Sequence, residues 1–186
     1  YYQPSETIPN IKQDLDIKNE DFVVLTIANM VAVKGIEILI EAVKKCKDDS
    51  IKVIIVGNDK NDYGTELKKK YKQFKNILFL GKQLKVRPYL ALADVFVIPT
   101  KDEGRREGIP NAPLEAMAME CVVLGSNISG VKDILRTFPS CLFEASNVDE
   151  LAEKIAYIKD MPTQERENLA KTMRNQVIEE FSLEEF

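Results

Sequence analysis

Residues 22–43, FVVLTIANMVAVKGIEILIEAV, contain the pattern that decides the fold, because the spacing of the apolar residues changes within this stretch. Residues 22–28 are almost all apolar and rich in β-branched residues, which is typical of a strand buried on both faces. From Ile36 onward the apolar residues recur every three or four positions, as on one face of a helix. The stretch therefore predicts a buried strand, a turn that contains Lys34 and Gly35, and a helix.

The same alternation continues along the rest of the chain. Five more short apolar runs follow, separated by segments with helical spacing. Apolar strands joined by helical crossovers predict a parallel sheet covered on both faces, since each crossover is right-handed. We predict an α/β fold with a doubly wound, mainly parallel, Rossmann-like sheet and helices on both faces. Its six predicted strands are residues 22–28, 51–56, 77–80, 95–98, 121–124 and 141–143.

Length and composition are those of one folded domain. With 186 residues, 45% of them apolar, the chain is long enough to bury a core. Residues 1–20, which are polar and contain two prolines, are predicted to be a lead-in segment, and residues 21–186 a single domain. No run approaches the roughly 20 apolar residues of a membrane span. The three cysteines are interpreted as reduced residues of a cytoplasmic protein.

Several function classes are excluded by the residue types and motifs that the sequence lacks. Lys and Arg total 26 against 30 Asp and Glu, so the net charge of −4 gives no basic excess for binding nucleic acid. The absence of histidine excludes Ser-His-Asp and Cys-His nucleophile pairs and His-ligated metals. Neither a Gly-x-Gly-x-x-Gly motif nor a P-loop motif occurs, which excludes a dinucleotide-dependent oxidoreductase and a P-loop nucleotidase.

Two connections at the carboxyl ends of the predicted strands are candidate ligand sites, because doubly wound sheets bind ligands where the strand order reverses. Lys34 lies where the first helix begins, so its ammonium and the free backbone N–H groups form a candidate anion site; a solvated lysine is the alternative. Residues 99–112 are the longest irregular connection, and they lead into a predicted helix at 113–120 with Glu115 in its first turn. Without a ligand, Glu115 would stabilise a helix N-terminus and Glu107 would be a solvated loop charge.

Residues 107–118, EGIPNAPLEAMA, closely resemble the E-x7-E signature of the retaining glycosyltransferases of family 4, the group 1 transferases of GT-B fold. The resemblance covers about residues 13–186. The chain looks like the C-terminal, donor-binding half of such an enzyme, without the N-terminal acceptor-binding domain. The resemblance implies transfer of a hexose from a nucleoside-diphosphate sugar, with UDP favoured over GDP, to a glycan or lipid-linked acceptor in cell-surface polysaccharide synthesis.

The resemblance also implies a role for each matching residue. The diphosphate would lie near Lys34 and the backbone N–H groups around Leu114, and Glu115 would accept hydrogen bonds from the ribose hydroxyls. Glu107 would be the catalytic residue, because in the family this glutamate fixes the hydroxyls of the transferred sugar and stabilises the developing oxocarbenium charge. Residues 81–83 would face the nucleobase. The predicted donor-binding residues are Asn29, Lys34, Gly81, Lys82, Gln83, Gly108, Ile109, Pro110, Asn111, Leu114 and Glu115.

Cofactors and partners follow from the same resemblance. We expect no metal and no other cofactor, because an ammonium and helix N–H groups can stabilise the leaving diphosphate. Asp14-Leu15-Asp16 is not interpreted as a metal-binding Asp-x-Asp motif, because it precedes the first strand. The expected partners are a nucleotide sugar and the missing acceptor-binding domain, with no nucleic acid. The expected location is the cytoplasm or the inner face of the membrane, with any peripheral membrane contact made through the parent enzyme.

The sequence departs from the usual family pattern at four positions. After the first strand the family has a glycine followed by an arginine, and the arginine is a second phosphate ligand. This chain has Ala28 and Asn29 at these two positions. Glu120 and Val122 replace a glycine and a proline after the signature helix. Glu103 is a second candidate for the first signature glutamate, but its spacing to the second glutamate does not fit the signature.

Two functions remain open at this point. The first is a donor-binding domain that binds a nucleotide sugar weakly and is inactive by itself, because the acceptor side is missing. The alternative is a degenerate, non-enzymatic sugar-nucleotide-binding or interaction module, which has kept the fold but lost the donor site together with the arginine.

Overall fold

Six parallel strands form one sheet in the part of the chain that the computed structural model describes, residues 11–104 and 108–181. The sheet order is β3-β2-β1-β4-β5-β6, and every neighbouring pair is parallel. This arrangement confirms the predicted doubly wound sheet. The strands are β1 (Phe22–Ile27), β2 (Ile51–Val56), β3 (Ile77–Gly81), β4 (Val95–Ile98), β5 (Val122–Ser126) and β6 (Leu142–Phe143).

Helices connect the strands, as the alternating periods predict. On α2, the predicted apolar stripe is buried in the core that the helix shares with the sheet. It consists of Ile36, Leu39, Ile40 and Val43. Short 3-10 turns precede α2 and β6. The described helices are α1 (Ile11–Asp14), α2 (Ile36–Cys46), α3 (Asp62–Tyr71), α4 (Arg87–Leu92), α5 (Asn111–Ala118), α6 (Val131–Ile134), α7 (Val148–Asp160) and α8 (Thr163–Phe181).

The direction in which the chain moves through the sheet places helices on both faces. It moves outward from β1 to β3, returns to β4 beside β1, and then moves outward the other way to β6. Right-handed crossovers in opposite directions put α2 and α3 on one face and α5 and α6 on the other. The two C-terminal helices complete these layers, because α7 packs on α2 and α8 packs on α5.

The pairing between β1 and β4 is short, and this opens the carboxyl edge of the sheet. β1 pairs with β2 along its whole length, from Phe22 with Ile51 to Ile27 with Val56. Its pairing with β4 ends at Leu25 and Phe96, two residues before either strand ends. The strand order reverses between the same two strands, so the crevice expected of a doubly wound sheet lies beyond their carboxyl ends.

The end of β5 differs from the prediction. The strand continues to Ser126, two residues beyond the predicted end. Ser126 is fully buried, and its hydroxyl donates to the carbonyl of Ile98 at 3.3 Å, so the polar side chain is satisfied inside the sheet. Gly125 lets α6 pack closely, because a Cβ there would lie 2.4 Å from Cγ1 of Val131. Gly125 and Ser126 are residue types typical of a loop, but tertiary packing outweighs this local preference and keeps them in the strand.

The start of the signature helix also differs from the prediction. α5 begins at Asn111 rather than at residue 113, so Glu115 lies in the second turn and not in the first. Pro113 is compatible with this start because the first turn of a helix makes no use of the N–H group that proline lacks. The apolar face of the helix is buried through Pro113, Ala116 and Met117.

Candidate active site

The connection from β1 to α2 forms one side of the crevice. After β1 the chain is held to the end of β2 by a hydrogen bond from the Met30 N–H to the Asn58 carbonyl at 2.9 Å. Met30 is fully buried, whereas Asn29 beside it is exposed at the carboxyl edge. A 3-10 turn, Ala32–Lys34, then leads to Gly35 at the start of α2. Asn29 and Lys34, both predicted site residues, therefore lie in one connection at the sheet's switch point.

Gly35 brings this connection into contact with the one that follows β4. Its φ of 63° is in the left-handed region, and a Cβ at this position would lie 2.0 Å from the carbonyl oxygen of Pro99. Two residues earlier, the Val33 carbonyl accepts a hydrogen bond of 2.8 Å from the Lys101 N–H. Lys34, which is partly buried, lies between these two contacts. The structure therefore brings the Lys34 backbone and the start of the β4–α5 connection together.

The N-terminus of α5 lies at the end of the β4–α5 connection. Pro110 precedes the helix and Pro113 is its third residue, so the N–H groups of Asn111 and Ala112 are the ones left without an intrahelical acceptor. Such groups, at the positive end of the helix dipole, suit a phosphate or carboxylate. Gly108 and Ile109 are exposed immediately before this terminus, and Leu114 is partly buried.

Of the two signature glutamates, only the second lies among the residues that the structure describes. This residue, Glu115, is partly buried on the second turn of α5. Glu107, the predicted catalytic residue, lies outside the described residues. Glu103, the other candidate for the first glutamate, is exposed near the start of the connection.

The ends of β2 and β3 extend the carboxyl edge away from the switch point. A Cβ at Gly57 would lie 1.7 Å from the Ala28 carbonyl oxygen, and the Gly57 N–H donates to the Gly81 carbonyl at 2.9 Å. Lys82 is exposed there, and the Gln83 side-chain amide donates to the Leu80 carbonyl at 2.7 Å. Residues 81–83 therefore lie at the end of β3, which is two strands, or about 10 Å, from β1 along the edge of the sheet.

A cluster of three side chains that the sequence analysis missed joins the two connections. Glu37 lies on the first turn of α2. Its Oε1 is 2.5 Å from Lys101 Nζ, and its Oε2 accepts a hydrogen bond from the Tyr63 hydroxyl. Burial works against ionisation of Glu37, but the hydrogen bonds from Lys101 and Tyr63 outweigh it and hold its pKa below the ordinary value. Burial and the bond to Glu37 raise the pKa of Tyr63. No local pattern signals this cluster, because Glu37 and Lys101 are distant in sequence.

A buried hydroxyl lies next to this cluster. Thr100 is 2% exposed, and its Oγ1 has no hydrogen-bond partner among the residues that the structure describes. Buried polar atoms are normally paired, so Thr100 is an exception at the point where β4 leaves the sheet.

Other features of the described residues lie away from the crevice. A cavity of about 260 Å³ between α7 and α8 is lined by residues such as Cys141, Tyr157 and Leu169, and by none of the predicted site residues. Residues 11–104 and 108–181 contain no group of three or more Cys, Asp or Glu residues that could hold a metal ion. No helix within these ranges is long and apolar enough to cross a membrane. Asp14 and Asp16 precede β1, at the opposite edge from the crevice.

Comparisons with known proteins identify what the chain resembles. The sequence profile described as "Glycosyl transferases group 1" matches residues 7–176. CapH of Staphylococcus aureus, named as a capsular polysaccharide biosynthesis glycosyltransferase, is 32% identical over 113 residues, which cover 57% of this chain and 30% of CapH. The chain spans 30% to 45% of the length of the curated relatives that it matches.

Solved structures share the fold. HepE of Anabaena, crystallised with UDP-glucose, matches with a TM-score of 0.84 and 22% identity over 97% of this chain and 50% of HepE. The C-terminal domain of LpcC, a glycosyl transferase group 1 family protein from Francisella tularensis, matches with a TM-score of 0.78 and 21% identity. That match covers 98% of this chain and 97% of the domain. At these identities the likeness shows the fold alone.

Proposed function

Because the chain belongs to the group 1 glycosyltransferases, we propose that it is the donor-binding part of a retaining transferase. In this proposal, the diphosphate of a nucleotide sugar binds between the β1–α2 connection and the N-terminus of α5. The single observation that carries the proposal is the contact of Val33 and Gly35 with residues 99–101 at the switch point. This contact puts the connection that contains Lys34 beside the connection that leads to Glu115.

The proposed chemistry follows from the charge that develops during transfer. When the bond between the sugar and the diphosphate breaks, its electron pair goes to the diphosphate, which becomes more negative. The Lys34 ammonium and the N–H groups of Asn111 and Ala112 would stabilise that charge more strongly in the transition state than in the ground state. Glu115 would accept hydrogen bonds from the ribose, and Glu107 would stabilise the positive charge on the sugar. This scheme uses no metal or other cofactor.

The finer parts of the proposal concern the donor, the acceptor and the rest of the enzyme. The UDP-glucose bound to HepE supports UDP as the nucleotide, and the name of CapH supports a role in polysaccharide synthesis, for which we propose a glycan or lipid-linked acceptor. The chain covers half of HepE but nearly all of the separate LpcC domain, which supports residues 21–186 as one domain of a two-domain enzyme. We place that enzyme in the cytoplasm, with any contact with the inner face of the membrane made outside this domain.

Titration with UDP tests the proposed site directly. We expect saturable, weak binding by the 186-residue chain in the absence of metal ions. Lys34→Ala and Glu115→Ala are each expected to weaken binding about tenfold, because each removes a charged hydrogen-bonding group worth about 1.5 kcal/mol or more. Lys18→Ala, an exposed lysine before β1 at the opposite edge, and Glu103→Ala are the matched controls and are expected to bind like the wild type.

The alternative function is a non-enzymatic module, and one observation favours it. Asn29 is exposed at the position where the family has its second phosphate-binding cation, and an amide carries no charge. The same titration decides between the two functions. Absence of binding at millimolar UDP and GDP would contradict the donor site and favour the module.

A further inference from the structure

We propose that Lys101 is a positioning residue for nucleotide binding, because its contact with Glu37 fixes the start of the β4–α5 connection, residues 99–101, against the β1–α2 connection. The β1–α2 connection forms one side of the proposed diphosphate site and the β4–α5 connection leads to the other, the N-terminus of α5, so the inference rests on the proposed function. Lys101 itself is not assigned a contact with the nucleotide.

The geometry shows a two-point attachment of Lys101 to the other connection. Its backbone N–H donates to the Val33 carbonyl at 2.8 Å, and its Nζ lies 2.5 Å from Oε1 of Glu37. The second carboxylate oxygen of Glu37 accepts from Tyr63 on α3, so both oxygens have partners and the carboxylate is held from two sides. A side chain restrained in this way fixes the position of the chain to which it is paired.

The ion pair between Lys101 and Glu37 is partly buried, unlike a pair on the protein surface. The side chains of Lys101 and Glu37 are only 30% and 24% exposed, so solvent and salt screen their attraction less than for an exposed pair. Next to the pair, Gly35 meets the Pro99 carbonyl with no room for a side chain. The two connections are therefore in direct contact at Gly35 and Pro99, and loosening Lys101 is expected to change their separation at this point.

A second cluster of the same chemistry on α2 provides an internal control. Glu41, one turn after Glu37, accepts a hydrogen bond of 2.6 Å from the Tyr71 hydroxyl and pairs with Lys44 at 2.7 Å. These residues belong to α2 and α3, so this Glu–Tyr–Lys set stabilises the helix pair. Glu37 and Tyr63 join the same two helices, but their lysine comes from the β4–α5 connection.

Direct binding of the diphosphate by Lys101 is the competing explanation, and one variant separates it from positioning. Glu37→Gln removes the charge that holds Lys101. If Lys101 positions the connection, Glu37→Gln weakens UDP binding as Lys101→Met does. If Lys101 instead binds phosphate directly, releasing it from Glu37 strengthens UDP binding.

The test is a UDP titration of the 186-residue chain and four variants, with thermal unfolding measured in parallel. We expect Lys101→Met and Glu37→Gln to weaken binding about fivefold, the lower end of typical couplings between sites. Glu41→Gln is expected to lower stability about as much as Glu37→Gln and to leave UDP binding unchanged. Lys101→Arg, which keeps the charge, is expected to bind more tightly than Lys101→Met.

The outcomes distinguish this inference from the proposed function. A wild-type chain that does not bind UDP contradicts the proposed function. A wild-type chain that binds UDP, with Lys101→Met binding equally well or Glu37→Gln binding more tightly, contradicts only the positioning role.

Amide hydrogen exchange provides a readout that needs no nucleotide. We expect Glu37→Gln, but not Glu41→Gln, to speed exchange of the Lys101 N–H that donates to Val33. Equal exchange in the two variants would overturn the inference.

Discussion

Glu120 follows α5 in the left-handed conformation, with a φ of 57°. The family usually has glycine here, and the structure gives the physical reason, because glycine adopts this conformation without the steric penalty of a Cβ. In this chain the contacts of the Arg174 guanidinium, on α8, offset part of the steric penalty at Glu120. Its Nη1 donates to the Ala118 carbonyl at the end of α5, and its Nε lies 3.8 Å from Glu120 Oε1.

Glu120→Gly is therefore expected to be more stable than Glu120→Ala by about 1 kcal/mol. Both substitutions remove the partly exposed ion pair with Arg174, which is worth less than about 1 kcal/mol, but only glycine removes the backbone strain. Urea unfolding of the two variants measures the difference. Lys47→Gly against Lys47→Ala is the matched comparison, because Lys47 also follows a helix with a positive φ of 50°. Equal stability within the Glu120 pair would show that the backbone there is not strained.

At the scale of elements, α7 is held against α2 and the turn before β2 by contacts between side chains of opposite charge. Asp48 Oδ2 lies 2.7 Å from Lys159 Nζ on α7, and Lys45 on α2 pairs with Asp149. Asp48 also accepts hydrogen bonds from the hydroxyl and the N–H of Ser50. Hydrogen bonds from Lys159 first, and then from Ser50, lower the pKa of Asp48 to about 2.

The lowered pKa of Asp48 predicts a pH-dependent contribution to stability. Because the folded-state pKa lies below the ordinary value of 3.8, the contribution is complete above about pH 4 and is lost as the pH falls towards 2. Asp48→Asn is expected to reduce the free energy of unfolding by at most about 1 kcal/mol at neutral pH, since the pair is partly exposed. The difference from the wild type should shrink between pH 4 and pH 2, as measured by urea unfolding. Asp49→Asn, the same change at the exposed neighbour, is the control; a difference for Asp48→Asn that does not vary with pH would contradict the assignment.

At the scale of the whole molecule, the chain has its own core and an edge that is exposed where a second domain would lie. The strands of the sheet are buried between two helix layers, as expected of a domain that folds by itself. At the carboxyl edge, in contrast, Val31, Leu84 and Ile109 are exposed apolar residues in three different connections. These exposed residues agree with a binding site of which this chain supplies one side.

We therefore expect the chain to bind UDP-glucose without transferring glucose to an acceptor. These 186 residues match half of HepE, so in the proposed two-domain enzyme the acceptor and the donor are brought into register only when a second domain is present. The measurement is release of UDP from UDP-glucose in the presence of a candidate glycan acceptor, with the heat-denatured chain as the blank. Turnover at rates of about 1 s⁻¹ or faster, which are ordinary for enzymes, would show that these residues suffice for catalysis.

The fold class was predictable because it depends on local spacing. Residues 22–28 are apolar except for Thr26, and Ile36, Leu39, Ile40 and Val43 repeat with the helical period, so each segment carries its own burial pattern. The family resemblance was likewise contained in one continuous stretch, residues 107–118, and the profile match to residues 7–176 confirmed it. Boundaries were less predictable, as at Ser126, where a buried hydrogen bond to Ile98 extends β5 beyond a polar residue.

The sequence by itself determined that this is a parallel α/β domain of the group 1 glycosyltransferases, because periodicity and the signature spacing are properties of neighbouring residues. The tertiary structure decided which connections meet: Gly35 against Pro99, Lys101 against Val33 and Glu37. These residues are more than 60 positions apart, and they meet because β1 and β4 are adjacent and their pairing ends early at the carboxyl edge. Strand order and register are set by the packing of the whole sheet, and no local stretch of sequence contains them.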